Sequence, residues 1–250
     1  MTSIRCVAAA ALLTLSATSA SAQAADEIIE KHLAASGGRE ALARLQSRVA
    51  TGSITVTTPI GPLTGTVESF AKVPNKSRTL VKLDLSALGA GQVINDQRFD
   101  GTSAYVIDSI NGNREITGAQ LDALRNLAFP TAWLDYGARG LSVAVIGKES
   151  LGDRQAYVLE TTPKAGPRVR TWVDAESYML LKTATSAVVP ELGGEIEQVT
   201  EFSDFRTVDG VKTPFGVKSI NPAQTVTAVL TDVKHNVDVD DASFAKPAEQ

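Results

Sequence analysis

From Arg48 to about Val237 the chain is written almost entirely in short runs of Val, Thr, Ile, Leu and Tyr, broken at near-regular intervals by Gly, Pro, Asn and Asp. Branched and aromatic side chains fit a pleated surface, and the breaking residues supply turns, so this pattern commits the chain to β structure. The runs "RVATGSITVTT", "LTGTVESFAKV", "RTLVKLDL", "QVINDQRF" and "TSAYVID" predict a first meander of five strands. "LSVAVIGKES", "RQAYVLETT", "RVRTWVDAE", "YMLLKTATSAV", "EIEQVTEFSDFRTV", "VKTPFGVKSI" and "AQTVTAVLTDVKHNV" predict a second group, for about eleven or twelve in all. The fold class is mostly antiparallel β, with one N-terminal and one mid-chain helix.

Two segments depart from this pattern. "ADEIIEKHLAASGGREALARLQS" has the spacing of a helix on Ile28, Ile29 and Leu33, with Asp26 and Glu27 favouring its N-terminus, a break at Gly37-Gly38, and a resumption on Ala41, Leu42 and Leu45. "EITGAQLDALRNLAFPTAWLDYGARG" predicts a mid-chain helix carrying Leu121, Leu124, Leu127 and Ala128, with Thr117 as its cap and Pro130 as its stop. A curved sheet of this size has an apolar face that must be covered, and these two helices are the available cover.

The chain opens with Arg5, an apolar run from about Cys6 to Ala17, and Ala20-Ser21-Ala22, the order of a secretory signal peptide cleaved after Ala22, with Ala24 as a second site. The run is shorter than the roughly 20 residues that a membrane-spanning helix needs. On this reading residues 1–22 are the signal peptide and residues 23–250 form one exported domain, expected in the periplasm. Cys6 is the only cysteine and falls within the signal segment, which leaves the mature chain without disulfides, thiol nucleophiles or thiolate metal sites. The formal charge of −4 becomes −5 without Arg5, and the remaining basic residues form no stripe of the kind that nucleic-acid binders carry.

Motifs for chemistry are scarce. Asp100-Gly101 and Asp209-Gly210 each lie between strand runs and read as hairpin turns rather than paired catalytic carboxylates. His32 and His235 are the only histidines, far apart in sequence and without HExxH spacing, so no metal site is expected. The two "SFAK" matches, at Ser69 to Lys72 and Ser243 to Lys246, lie in a strand and in the tail rather than at a helix start, and they lack the companion elements of a serine acyl-enzyme. No catalytic residue, cofactor or metal is assigned. The aromatic residues Phe129, Trp133 and Tyr136 gather just after the mid-chain helix, and Trp172 lies in a strand. Such residues belong to a core by their general habit, and a lid that also lines a pocket would serve both purposes.

The segments "ADEIIEKHLAASGGREALARLQSRVATGSI", "FDGTSAYVID" followed by "ITGAQLDALRNLA", "GKESLGDRQAYVLE" leading to "TWVDAESYMLLK", and "EFSDFRTVDGVKTPF" with the final "DDASFAKP" resemble the periplasmic lipoprotein-carrier superfamily, the LolA/LolB-like proteins. The resemblance implies an incomplete β-barrel whose hollow face, covered by helices, accepts lipid acyl chains. It implies a non-enzymatic carrier of a lipid, acylated or other apolar ligand, in the setting of outer-membrane lipoprotein sorting, with an envelope protein partner and peripheral membrane contact both compatible. On this basis Leu121, Leu124, Phe129, Trp133, Leu134 and Tyr136 of the lid, and Trp172 of the sheet, are the candidate ligand-binding residues. A protein-interaction or sensor module and a hydrolase with an unusual carboxylate site are the alternatives. The chain departs from the resemblance at Ala104-Tyr105, where relatives often carry tryptophan after the Asp-Gly turn. The arginine that holds the lid in the lipoprotein carriers maps to no particular position.

Overall fold

The computed structural model describes residues 23–247 except 60, 87–88 and 190–193. The expected signal segment lies outside the described residues. The strands are β1 (Ser47–Thr58), β2 (Gly61–Lys72), β3 (Lys76–Asp84), β4 (Gln92–Phe99), β5 (Ala104–Asp108), β6 (Arg114–Ile116), β7 (Ser142–Leu151), β8 (Arg154–Thr162), β9 (Val169–Asp174), β10 (Leu180–Val189), β11 (Gly194–Val208), β12 (Val211–Ile220) and β13 (Thr225–His235). They form one antiparallel sheet in the order β6-β5-β4-β3-β2-β1-β13-β12-β11-β10-β9-β8-β7. Every neighbouring pair is adjacent in sequence except β1 and β13, which join two meanders at the centre. β6, three residues long, was not expected from its sequence.

Helix α1 (23–35) and the short α2 (Arg39–Ala43) precede the sheet, and α3 (Gly118–Asn126) lies in the connection between β6 and β7. α3 ends sooner than the leucine spacing predicts. Leu127 falls past its last turn and is 53 % exposed, so it takes no part in the apolar face with Leu121 and Leu124.

Strand alternation and the register sort the side chains into two faces. One face carries Ala50, Ile54 and Val56 of β1, Val67 of β2, Phe99 of β4 and Val106 of β5, and all three helices pack on this side. The other carries Glu68, Lys72, Arg78 and Lys82 and faces outward. The sheet is curled around its apolar face. Leu121 and Leu124 of α3 pack with Phe99, Ala104, Val106 and Ile116 on β4 to β6, and the same helix lies against β10. Eight strand spacings of about 4.8 Å would separate β5 from β10 in a flat sheet, nearly 40 Å. Nine residues of helix span only about 13 Å. Two concave-face glycines mark the bend: a Cβ on Gly65 would overlap the Lys82 carbonyl oxygen, and one on Gly52 that of Val229.

The largest core cluster closes one end of this curl. Ile28, Ile29 and Leu33 of α1 and Leu42 of α2 meet Trp133, Val143, Leu159, Val173 and Val211 there. On the outer face the chain after β13 runs back across β2 to β4. Lys72 Nζ donates to Val239 O and to Asp241, Lys76 Nζ to Asp241, and Arg98 Nη1 to Ala245 O, while Phe244 is buried. Beneath this tail Asp96 accepts paired hydrogen bonds from Arg78, both at 2.8 Å, and others from Arg98 at 2.8 and 3.0 Å.

Both Asp-Gly pairs are turns. Asp100 Oδ1 accepts from the backbone N–H of Thr102 and Ser103, closing the β4–β5 connection. Asp209 (φ 51°) and Gly210 (φ 83°) form the two-residue β11–β12 hairpin, with positive φ at both positions as a type I′ turn requires. Asn tolerates that conformation and keeps the accepting oxygen. Asp100→Asn and Asp209→Asn should therefore each change the unfolding free energy by less than about 1 kcal/mol in urea titrations.

Candidate functional site

The concave face is only partly filled. α1, α2 and the segment after α3 occupy the end near β7 to β9, whereas Ile54, Val67, Val81, Leu83, Phe202 and Val217 join no cluster built on a helix. The last four keep accessible surface, and Thr79, on the same face, is exposed. Among the described residues this inward apolar surface belongs to no helix-based core cluster, which leaves a hollow.

α3 is strapped over this hollow from both sides. Arg125 Nη2 donates to Thr102 O in the β4–β5 turn at 3.1 Å, and Asn126 Nδ2 to Ala165 O in the β8–β9 connection at 2.8 Å. Arg139 Nη2 donates to Leu127 O at 2.7 Å and to Arg125 O at 3.4 Å, carbonyls left free where the helix ends. Arg139 thus caps the C-terminal end of the mid-chain helix. Its position gives no hint of this in the sequence, because the bond is to backbone atoms twelve and fourteen residues away.

The expected lining residues divide into three groups. Leu121 and Leu124 fix α3 to β4 to β6. Phe129, Trp133, Leu134 and Tyr136 join the core on α1, where Trp133 meets the His32 ring edge-on at 5.1 Å and the Tyr136 hydroxyl donates to Asp26. That hydrogen bond, with burial and the charges of Asp26 and Glu30, pushes the Tyr136 phenol up to about 12. Burial holds His32 below the usual histidine range, against the opposing hydrogen bond to Tyr178 O, so the ring is neutral beside Trp133. Trp172 lies elsewhere. Strand alternation places it on the convex face with Ala156, Val158 and Ala184, its Nε1 donating to Glu149 at 2.8 Å and Lys182 Nζ over its ring at 4.2 Å. It therefore leaves the candidate lining set.

Sequence reasoning missed Arg48. The register with Ala71 and His235 puts it on the concave face, where β1 begins. Its Nε has neither accessible surface nor a hydrogen-bond partner, and its guanidinium carbon sits 5.9 Å from the centre of the Phe129 ring. Burial alone depresses it below the ordinary arginine range, and no carboxylate opposes that effect. Outside the hollow, an open cleft of about 300 Å³ lies among Tyr105, Ile116, Leu121, Arg125, Phe244 and Lys246, exposed to solvent along one side. Among the described residues no three His, Cys, Asp or Glu side chains are grouped to hold a metal, and no helix is long and apolar enough to cross a membrane.

An open antiparallel sheet curled round a hollow, with an N-terminal helix at one end and a mid-chain helix strapped across, matches solved structures along nearly its whole length. A LolA superfamily protein from Nitrosomonas europaea aligns over 89 % of this chain and 97 % of its own, at 16 % identity and a TM-score of 0.57. This chain has the LolA fold. A DUF1329 family protein from Desulfovibrio piger aligns at 15 % identity and a TM-score of 0.57, over 90 % of this chain and 97 % of its own. A domain from Vibrio parahaemolyticus described as an outer membrane lipoprotein-sorting protein aligns at 12 % identity and a TM-score of 0.53, over 89 % of this chain and 97 % of its own. No family model and no curated protein matches this sequence.

Proposed function

We propose that the protein is a non-enzymatic binding or carrier protein for a lipid, acylated or other apolar ligand, exported to the periplasm through a cleaved signal peptide as a single domain. The observation that carries this reading is the hollow: Val81, Leu83, Phe202 and Val217 face inward, keep accessible surface and, among the described residues, belong to no core cluster that contains a helix. Bare aliphatic area is unfavourable in water by about 25 cal/mol per Å², so a hollow of this kind gains most by taking up an apolar chain. The straps of α3 are a few hydrogen bonds, each contributing roughly 1 kcal/mol, weak enough to release while the core on α1 stays folded. The fold shared with the LolA superfamily protein and the lipoprotein-sorting domain supports the same reading.

The reading is tested by organic extraction of the purified protein followed by lipid mass spectrometry, and by titration with an acyl ligand. Trp133 lies beside Phe129 and Leu134 in the segment that follows α3, so its emission should shift when a chain enters, measured with Trp172 replaced by Phe. The emission of Trp172, on the convex face, should stay unchanged in the reciprocal Trp133→Phe protein. Absence of extractable lipid together with a flat titration across chain lengths would rule the carrier reading out.

A further inference from the structure

The hollow is not uniformly apolar. Cross-strand rows on the concave face run Arg48–Ala71–Ser77–Phe99, then Ala50–Ser69–Thr79–Gln97, then Gly52–Val67–Val81–Asn95, then Ile54–Gly65–Leu83–Val93. The row next to Arg48 carries three polar side chains in succession, and the two rows beyond it are apolar from β1 to β3, with Asn95 of β4 donating to Asp108. Among the described residues, the side chains of Arg48, Ser69, Thr79 and Gln97 have no hydrogen-bond partner. Arg48 keeps some accessible surface as a residue, so its side chain is not wholly enclosed by packed core. His235, the cross-strand partner of Arg48, is itself paired with the Asp209 carboxylate at 3.2 Å. A buried, unpaired guanidinium is costly, and a fold that keeps one at the floor of a cavity has a place for an anion.

We propose that the hollow binds an amphiphile with an anionic head, a carboxylate or phosphate, its head against Arg48 and the Ser69–Thr79–Gln97 row and its chain along Val67, Val81 and Leu83. This rests on the reading of the hollow as an apolar binding site and adds to it the class of ligand and the direction in which it lies. The guanidinium presents a planar fork of donors to the head, and the Ser, Thr and Gln side chains can donate to its remaining lone pairs. A neutral or cationic head would leave Arg48 unpaired.

The test compares dodecanol, laurate, lauroyl lysophosphatidic acid and dodecyltrimethylammonium by calorimetry below their micelle concentrations, on the wild type, Arg48→Met and Arg48→Lys. The wild type should bind laurate and the lysophosphatidic acid at least about tenfold more tightly than dodecanol, and the cationic probe most weakly. Arg48→Met should bring laurate down to the affinity of dodecanol, and Arg48→Lys should fall between. Methionine removes an uncompensated charge while keeping apolar volume, so this variant is expected to fold at least as stably. Should it not fold, the wild-type series decides alone. Equal wild-type affinity for dodecanol and laurate, or an unchanged preference in Arg48→Met, overturns the anionic-head assignment and leaves the carrier reading standing. Failure of every chain-bearing probe to bind removes both. Inorganic phosphate or acetate competing at low millimolar concentration would identify a site for a free anion and overturn the amphiphile.

Discussion

Replacing Asp96 by alanine should lower the unfolding free energy at neutral pH by about 3 to 5 kcal/mol, a large share of what a domain this size holds in reserve. The carboxylate is 4 % exposed and faces two guanidinium groups that are 18 % and 15 % exposed. Removing it leaves both cations under the C-terminal tail with no counter-charge, and Arg98 also loses the orientation that lets it reach Ala245 O. The same loss is reached by acid. Burial works to raise the Asp96 carboxyl, but the hydrogen bonds from Arg78 and Arg98 outweigh it and hold the group below its ordinary 3.8. A folded value below the unfolded one means that the contribution is complete above the unfolded value and vanishes as pH falls through the folded one. The gap between wild type and Asp96→Ala, measured by urea unfolding, should thus be full at pH 7 and close below the folded value. Asp241, held at about 2 by Lys72 and then Lys76, titrates in the same acid range and loosens the tail there as well. A difference under 1 kcal/mol at pH 7, with an unchanged dependence on denaturant, would show that the triad is not what pins this face.

Gly65→Ala should destabilise the protein by at least about 2 to 3 kcal/mol, although alanine is ordinarily the gentlest replacement for glycine. The added methyl would occupy the space of the Lys82 carbonyl oxygen, a backbone atom in the β2–β3 ladder that cannot rotate away. Either the ladder opens or the sheet flattens. Flattening would widen the span that α3 bridges between β5 and β10, so the variant should also lose affinity for acyl ligands. Gly147→Ala, whose new methyl would meet nothing within 4 Å, is the control and should stay within about 1 kcal/mol of the wild type. Equal stabilities for the two variants would mean that the bend does not depend on Gly65.

The strands and both Asp-Gly turns were legible because each is declared locally, by a run of branched residues or by a residue suited to positive φ. The core half of α1 was legible for the same reason, since Ile28, Ile29 and Leu33 repeat at helical spacing and are buried together. What the sequence hid are properties that arise only across strands. β6 is three residues held by pairing to β5, too short to carry a pattern of its own. The face on which Trp172 lies is hidden in the sequence because its strand has a buried face on either side: Val173 packs toward α1 and Trp172 toward Val158 and Ala184. Composition cannot tell two buried faces apart. Arg48 reads as an ordinary polar residue at the start of a strand, and only the register with Ala71 and His235 turns it inward.

The place of β13 in the sheet also governs how the protein can be assembled. β13 is the last strand to be made, and it is the one that lies between β1 and β12 and joins the two meanders. Until it is available, β1 to β6 and β7 to β12 can each form by short hairpin steps, but they remain two ribbons with open edges at β1 and β12. Pairing β1 with β13 then closes a loop of nearly the whole chain, the slowest kind of contact to make. A chain made from its N-terminus would therefore present two unfinished walls until its last strand is complete. Those bare edges are where a chaperone would have to act, and where aggregation would begin.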